Sequence, residues 1–243
     1  MAKRFFDFWL ALLGLLVASP VLLAVMFLVW REDRHNPFYI APRVGRGGKL
    51  FRMVKMRSMR IGADRSGVSS TSNDDGRITP VGHFIRRFKI DELTQLWNVL
   101  RGDMSFVGPR PQVQSGVDVY TVRERDLLSV RPGITDFASI VFSDEGTILS
   151  GSEDPDRDYD HLIRPWKSRL GLTYIAAQGF WVDIQLIFLT AVAIISRQTA
   201  LHGVVRILLA MRADPEMVEV CHRRSPLEPA SPPSAEYRPL CHR

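Results

Sequence analysis

Cysteine is scarce in this 243-residue chain: there are two, Cys221 and Cys241, both in the last quarter, and no CxxC pair. A disulfide-stapled scaffold is thereby excluded, and the pattern fits a reducing compartment. The sequence also lacks a helix-turn-helix, a zinc finger or basic residues interleaved with aromatics, so nothing in it supports a nucleic-acid partner. No internal repeat of domain size is present. The repeated triplets Cys221-His222-Arg223 and Cys241-His242-Arg243 sit in a proline-rich stretch without ligand spacing on an ordered frame, so no metal site is assigned to them.

What is present is apolar and basic. The chain is 46% hydrophobic and 24% charged, enough for a sizeable core, and 32 Lys plus Arg outnumber 26 Asp plus Glu. The net charge of +6 favours anionic partners such as acidic headgroups or phosphorylated small molecules. From Phe8 to Trp30 there is no charged side chain, and the run continues directly into basic, structured sequence rather than a small-residue cleavage site. By length this is a membrane segment.

Whether the segment crosses is a separate question. Lys3 and Arg4 precede it, and Arg31, Arg34, Arg43 and Arg46 follow, so a single span would put basic residues on both faces. Ser19-Pro20 divides the run. Proline removes a backbone donor and clashes with the carbonyl of Leu16, and Ser19 can offer that carbonyl a side-chain hydrogen bond. The arm from Phe8 to Ser19 reaches roughly 18 Å, a little over half the hydrocarbon thickness. A kinked span and a helix that enters, bends at Ser19-Pro20 and returns to the same face both satisfy these residues.

Beyond the anchor, Phe38–Val44 and Leu50–Val54 are expected strands of a small hairpin turning at Gly45-Arg46-Gly47-Gly48. Residues 60–77 form an expected polar loop. Helices are expected over Val81–Phe88, from near Asp91 to Leu100, over Gly116–Ser129 and from about Asp158 to Gln178, with an acidic loop over Ser143–Asp160. Residues 180–210 are apolar again, but the uncharged run Ile184–Ser196 is too short to span and is expected to pack on the domain or lie in the interface. The expected fold class is α+β, mostly helical. Its domains are an anchor at 1–35, a compact catalytic domain at 36–200, an apolar and basic helical extension at 201–213, and a disordered Pro-rich tail at 214–243.

The chemistry concentrates around residues 84–111. Arg86, Arg87 and Lys89 lie just before the adjacent carboxylates Asp91 and Glu92, which fall near an expected helix N-terminus where anions are favoured. A helix cap with surface ion pairs explains such a cluster, and so does a phosphate-handling site with a carboxylate nucleophile, a carboxylate for Mg²⁺ and arginines for phosphate oxygens. Arg110, between Pro109 and Pro111, is presented rigidly, which suits bidentate phosphate binding. Lys55 and Arg57, at the end of the second expected strand, add two more cations.

Order and spacing separate these readings. The series Lys55-x-Arg57-Ser58-Met59, Arg77-x-Thr79-x-x-Gly82, Arg86, Asp91-Glu92-Leu93-x-Gln95-Leu96-x-Asn98-Val99, Gly102-Asp103-Met104-Ser105-x-Val107-Gly108-Pro109-Arg110-Pro111 and Arg131-Pro132-Gly133-Ile134-Thr135 resembles the bacterial sugar transferase family. These are monotopic polyprenyl-phosphate phosphoglycosyl transferases, and the resemblance runs from about Lys3 to Ser196. It implies Asp91 as nucleophile, Glu92 as the Mg²⁺-associated carboxylate, Arg86 and Arg110 as phosphate-site arginines, and Lys55 as a basic residue near the membrane face of the site. It implies the re-entrant form of the anchor, broken at Ser19-Pro20. The implied reaction moves a sugar-1-phosphate from a UDP-sugar to undecaprenyl phosphate through a phosphosugar on Asp91, releasing UMP. It takes place at the cytoplasmic face of the bacterial inner membrane, and a homodimer is among the assemblies it allows. The chain departs from the family pattern at Thr94, where proline is frequent, and over Asp136–Glu145, a stretch that bears on sugar choice. A non-catalytic basic scaffold and a phosphohydrolase are the competing expectations.

Overall fold

The structure, a computed structural model, describes residues 2–66, 71–72 and 74–240. Helix α1 runs over Ala2–Asp33 with Pro20 inside it. Pro20 has no N–H to give the Leu16 carbonyl, and Ser19 Oγ donates to that oxygen instead at 2.7 Å. Along one stripe Asp7, Ala11, Leu22, Val25 and Val29 are buried. Phe5, Trp9, Leu13, Leu16, Val17, Leu23 and Phe27 stand exposed on other sides. A surface that apolar on a long helix fits contact with lipid.

Both ends of α1 are tied to the rest of the chain. Near the start, Lys3 pairs with Asp183, Arg4 donates to the Val99 and Leu100 carbonyls, and Asp7 accepts from Ser105 Oγ at 2.8 Å. At the other end, Asp33 takes both terminal nitrogens of Arg57, one at 2.7 Å.

Strands β1 (Phe38–Val44) and β2 (Leu50–Met56) pair antiparallel as expected, with Phe38 opposite Met56 and Val44 opposite Leu50. Gly47, at φ 67°, supplies the left-handed residue their turn needs. The expected loop at 60–77 falls partly outside the described residues. Helix α2 (Pro80–Arg87) starts where Thr79 Oγ1 accepts from Gly82 N at 2.9 Å. The helix expected from Asp91 to Leu100 is two pieces, α3 (Ile90–Leu93) and α4 (Leu96–Arg101). At the junction Thr94 Oγ1 donates to the Asp91 and Val54 carbonyls, at 3.0 and 3.1 Å. Asn98 completes the link to β2, accepting from Val54 N and donating to the Arg52 carbonyl.

A second pairing has no signal in the sequence: β3 (Ser105–Val107) and β4 (Gly133–Thr135) lie parallel. A Cβ on Gly133 would sit 2.1 Å from Gly108 N, so only glycine lets these two backbones meet. The helix expected over Gly116–Ser129 is instead a short α5 (Gln114–Asp118) and a 3₁₀ turn at Glu124–Ser129. Glu124 is turned inward there, accepting from Thr121 N at 2.9 Å and Ser168 Oγ at 2.6 Å. A buried carboxylate with those partners outweighs the local helical tendency.

Residues 143–160, expected as loop, carry α7 (Glu145–Ile148) and α8 (Pro155–Asp158), following α6 (Phe137–Val141). A π turn at Tyr159–Ile163 leads into α9 (Arg164–Ala177), and together they fill the long helical stretch expected there. Helices α10 (Phe180–Ile195) and α11 (Arg197–Ala210) follow. The main core gathers Phe137, Ile140, Leu170, Leu186, Leu201 and Leu208 from α6 and α9 to α11.

Two expected boundaries are corrected here. Position 200 divides nothing, because α11 runs through it and buries Ala200, Leu201 and Val204 in the main core. The stretch after Asp214 is not structureless: α12 (Pro215–His222), capped by Asp214, buries Met217, Val218 and Cys221. Farther on, the Pro233 carbonyl accepts from Thr121 Oγ1, and Leu240 bridges to Ala213. Proline density concealed a short helix with one apolar side that the core can accept. The triplet at 241–243 lies outside the described residues.

Candidate active site

Four segments bring the charged residues together. The end of β2 supplies Lys55, α2 supplies Arg86, α3 supplies Asp91 and Glu92, and the loop after β3 supplies Arg110. Lys89, at φ 53°, turns the chain sharply between α2 and α3. A non-glycine residue in the left-handed region costs on the order of 1 kcal/mol, and here the strain falls two residues before Asp91. The Arg110 loop is pinned by the close approach of Gly108 to Gly133, and Gly133 N donates to the Pro109 carbonyl at 3.0 Å.

The carboxylates have different partners. Asp91 Oδ2 lies 3.5 Å from Lys55 Nζ, and Glu92 Oε1 accepts from Arg110 at 2.7 Å. Burial alone would raise the Glu92 pKa, but the charges of Arg110, Lys55 and Lys89 outweigh it and hold the carboxyl at about 2. Glu92 in turn holds the Arg110 guanidinium above its ordinary pKa. Burial, followed by the charge of Arg110, lowers the pKa of Lys55 against the opposing pull of Asp91 and Glu92.

Asp91 opens into a cleft of about 620 Å³ whose walls include Tyr39, Arg43, Lys55, Arg60 and Arg86. Arg57 also lines it, but its Nε donates to the Asn36 carbonyl and its terminal nitrogens hold Asp33, so its contacts dock the end of α1. Ser19 and Pro20 lie in α1, outside this cluster. Asp91 and Lys55 line this cleft, and Glu92 with Arg110 adjoins them.

Beyond Arg110 stand the two ends of the Asp136–Glu145 stretch, together with Lys167, which sequence reasoning did not single out. Lys167 of α9 pairs with Glu145 of α7, and Asp136 caps α6 by accepting from Ser139 N at 2.7 Å. Burial raises the Asp136 pKa against that hydrogen bonding. Burial likewise pushes Glu145 up, but Lys167 brings it below the ordinary value. Asp136, Lys167 and Arg110 line one small pocket of about 40 Å³. These residues are scattered over 136–167, and no spacing in the sequence links them to Asp91.

Among the described residues no three His, Cys, Asp or Glu side chains converge as a metal cage. A pair of adjacent carboxylates on a cationic floor suits a different ligand set, in which an anionic diphosphate supplies the remaining oxygens.

Residues 1–197 match the family model described as Bacterial sugar transferase. The chain is 38% identical over 201 residues to the undecaprenyl-phosphate glucose phosphotransferase of Komagataeibacter xylinus, covering 78% of this chain and 35% of that protein. It is 34% identical over 213 residues to the undecaprenyl-phosphate galactose phosphotransferase of Salmonella typhimurium, covering 82% and 41%. To the UDP-N-acetylgalactosamine-undecaprenyl-phosphate N-acetylgalactosaminephosphotransferase of Aeromonas hydrophila it is 33% identical over 192 residues, covering 77% and 42%. The chain therefore spans well under half the length of these three relatives. With most of its residues matched by the family model, the chain belongs to the bacterial sugar transferase family.

Proposed function

We propose that this chain transfers a sugar-1-phosphate from a UDP-sugar to undecaprenyl phosphate, with Asp91 as nucleophile, in the first step of building a cell-surface or secreted polysaccharide. The observation that carries this is the placement of Asp91: beside Lys55, next to the Glu92–Arg110 pair, at a cleft lined by Arg43 and Arg86. An Asp91 oxygen attacks the sugar-bearing phosphorus, the bond from that phosphorus to the bridging oxygen breaks, and UMP leaves. A phosphate oxygen of the lipid then attacks the same phosphorus, breaking its bond to Asp91 and freeing the carboxylate. Arg86 and Arg110 bind and orient the phosphoryl oxygens, and Glu92 fixes the angle at which Arg110 is offered. The sugar would meet the Asp136–Glu145 stretch, whose Asp136 lines a small pocket with Arg110 and Lys167.

Mg²⁺ fits this donor set: Arg110 engages Oε1 of Glu92, and the other carboxylate oxygen, together with oxygens of the substrate, would hold a hard cation. Bound there, the ion would neutralise diphosphate charge and ease departure of UMP.

The anchor has its two ends on the cytoplasmic face, bending into the bilayer at Ser19-Pro20. The support is that Lys3, Arg4 and Asp7 at one end and Asp33 at the other all pair with residues between Arg57 and Asp183. A transverse span would carry one of those two sets of partners across the hydrocarbon with its end of the helix. Such an anchor brings a soluble nucleotide and a membrane-bound acceptor phosphate to one site at the interface.

The test is UMP release by the detergent-solubilised chain with undecaprenyl phosphate and a panel of UDP-sugars. Asp91→Asn should abolish turnover while the protein still folds, and wild type trapped with its UDP-sugar should carry a phosphosugar on the Asp91 peptide. Turnover surviving in Asp91→Asn, or an adduct on another peptide, would overturn the assignment.

A further inference from the structure

A second basic concavity lies away from Asp91. It is a groove of about 440 Å³ between the first turns of α1, the β1–β2 turn and the segment before β4, lined by Lys3, Arg4, Asp7, Arg46, Arg131 and Gln178 among others. Arg46 belongs to the hairpin turn, at the opposite end of the hairpin from Lys55.

The groove carries more positive charge than its own contacts use. Lys3 is held by Asp183, and Arg4 is spent on the carbonyls that end α4. The one carboxylate on the wall, Asp7, is taken by Ser105 Oγ at 2.8 Å and by Phe106 N at 3.3 Å. Arg46 and Arg131 use only Nε, toward the Ser129 carbonyl at 3.1 Å and the Gly102 carbonyl at 2.9 Å. No hydrogen bond among the described residues engages the terminal guanidinium nitrogens of either. Two guanidinium ends on one concave wall are the donors that bind a phosphate group.

The surroundings identify which phosphate. Phe6 of α1 meets Phe180 of α10 edge to face, with ring centroids 5.3 Å apart, next to Gln178 on the groove wall. Around that contact Phe5, Trp9 and Trp181 are 69%, 53% and 75% exposed. Exposed Trp and Phe beside a basic groove form the pattern of a membrane interface, with rings at headgroup level and cations toward the phosphates. A soluble phosphate would gain nothing from that apolar rim. We propose that this groove binds the phosphate of an anionic phospholipid headgroup, whose acyl chains lie along the aromatic rim, and that it is separate from the site at Asp91.

The test uses the delipidated full chain in a nonionic detergent, with thermal unfolding followed on titration with dioctanoyl phosphatidylglycerol, dioctanoyl phosphatidylcholine or inorganic phosphate. Phosphatidylglycerol should raise the melting temperature in a saturable way, and the other two should not. Arg46→Glu alters an exposed side chain and gives up only its hydrogen bond to the Ser129 carbonyl, so its melting temperature without lipid should stay within a few degrees of wild type. Its apparent affinity for phosphatidylglycerol should fall by about tenfold or more, the size of one charge-assisted hydrogen bond. Arg131→Gln, as a second variant, should weaken the same response. An equal response to phosphatidylcholine, an equal response to inorganic phosphate, no response at all, or an Arg46→Glu variant titrating like wild type would each overturn the proposal. So would a raised KM for undecaprenyl phosphate in Arg46→Glu, because the groove would then be the acceptor site.

Discussion

Glu92→Gln keeps the length and shape of the side chain and removes its charge. In the fold this carboxylate sits 2.7 Å from Arg110 and is held at about 2, against an ordinary value of 4.5. At about 1.4 kcal/mol per pH unit, that displacement corresponds to about 3 kcal/mol of preference for the charged form. The Arg110 side chain is 34% exposed, so solvent screening reduces the stabilisation to on the order of 1–2 kcal/mol. A pKa depressed in the folded state stabilises fully above the unfolded value and is lost as pH falls through the folded one. Wild type should therefore melt about 2–8 °C above Glu92→Gln at pH 7. The gap should hold down to about pH 5 and close toward pH 2. Turnover should fall more steeply, on the order of a hundredfold, because Arg110 loses its orienting partner at the reacting phosphoryl group. Unfolding of both proteins in detergent over a pH series, with UMP release over a Mg²⁺ titration, measures each part. Equal melting at pH 7, or a gap unchanged at pH 2, would refute the electrostatic argument; an unchanged Mg²⁺ titration would remove Glu92 from the site.

Two further predictions address the anchor and the cleft. With Cys221 and Cys241 replaced by serine, single cysteines at positions 2 and 36 should both resist a membrane-impermeant maleimide applied outside intact cells. Position 2 should become labelled when Ser19-Pro20 is changed to Ala-Leu, and labelling of wild type at position 2 but not 36 would mean an ordinary span. Arg57→Ala should lower the melting temperature, since it strips Asp33 and Asn36 of their partner, whereas Arg86→Ala should leave melting unchanged and cut UMP release. The opposite pattern would exchange the structural and substrate-binding roles of these two arginines.

Local chemistry was enough for much of this molecule. The uncharged run at Phe8–Trp30 allows little but a lipid-facing helix, and Ser19-Pro20 carries its own repair, seen in the hydrogen bond to Leu16. The hairpin was legible because glycines with the needed backbone freedom separate two strand-like runs. The adjacent Asp91 and Glu92 and the cations around them stood out because charge is a property of short segments. That cluster alone suits a helix cap equally, and the roles of Arg86 and Arg110 come from the order of motifs along the chain. Tertiary structure decided what depends on partners distant in sequence. The β3–β4 pair joins segments that carry no local sign of pairing and meet only where Gly108 and Gly133 let the backbones approach, and Glu124 turns inward because Ser168 donates to it. Arg57 looks like any phosphate-site cation until Asp33 occupies it, and α12 looks like proline-rich coil until the core accepts Met217 and Cys221. A side chain's type is written in its own position, but which of its donors remain free depends on the groups that folding brings beside it.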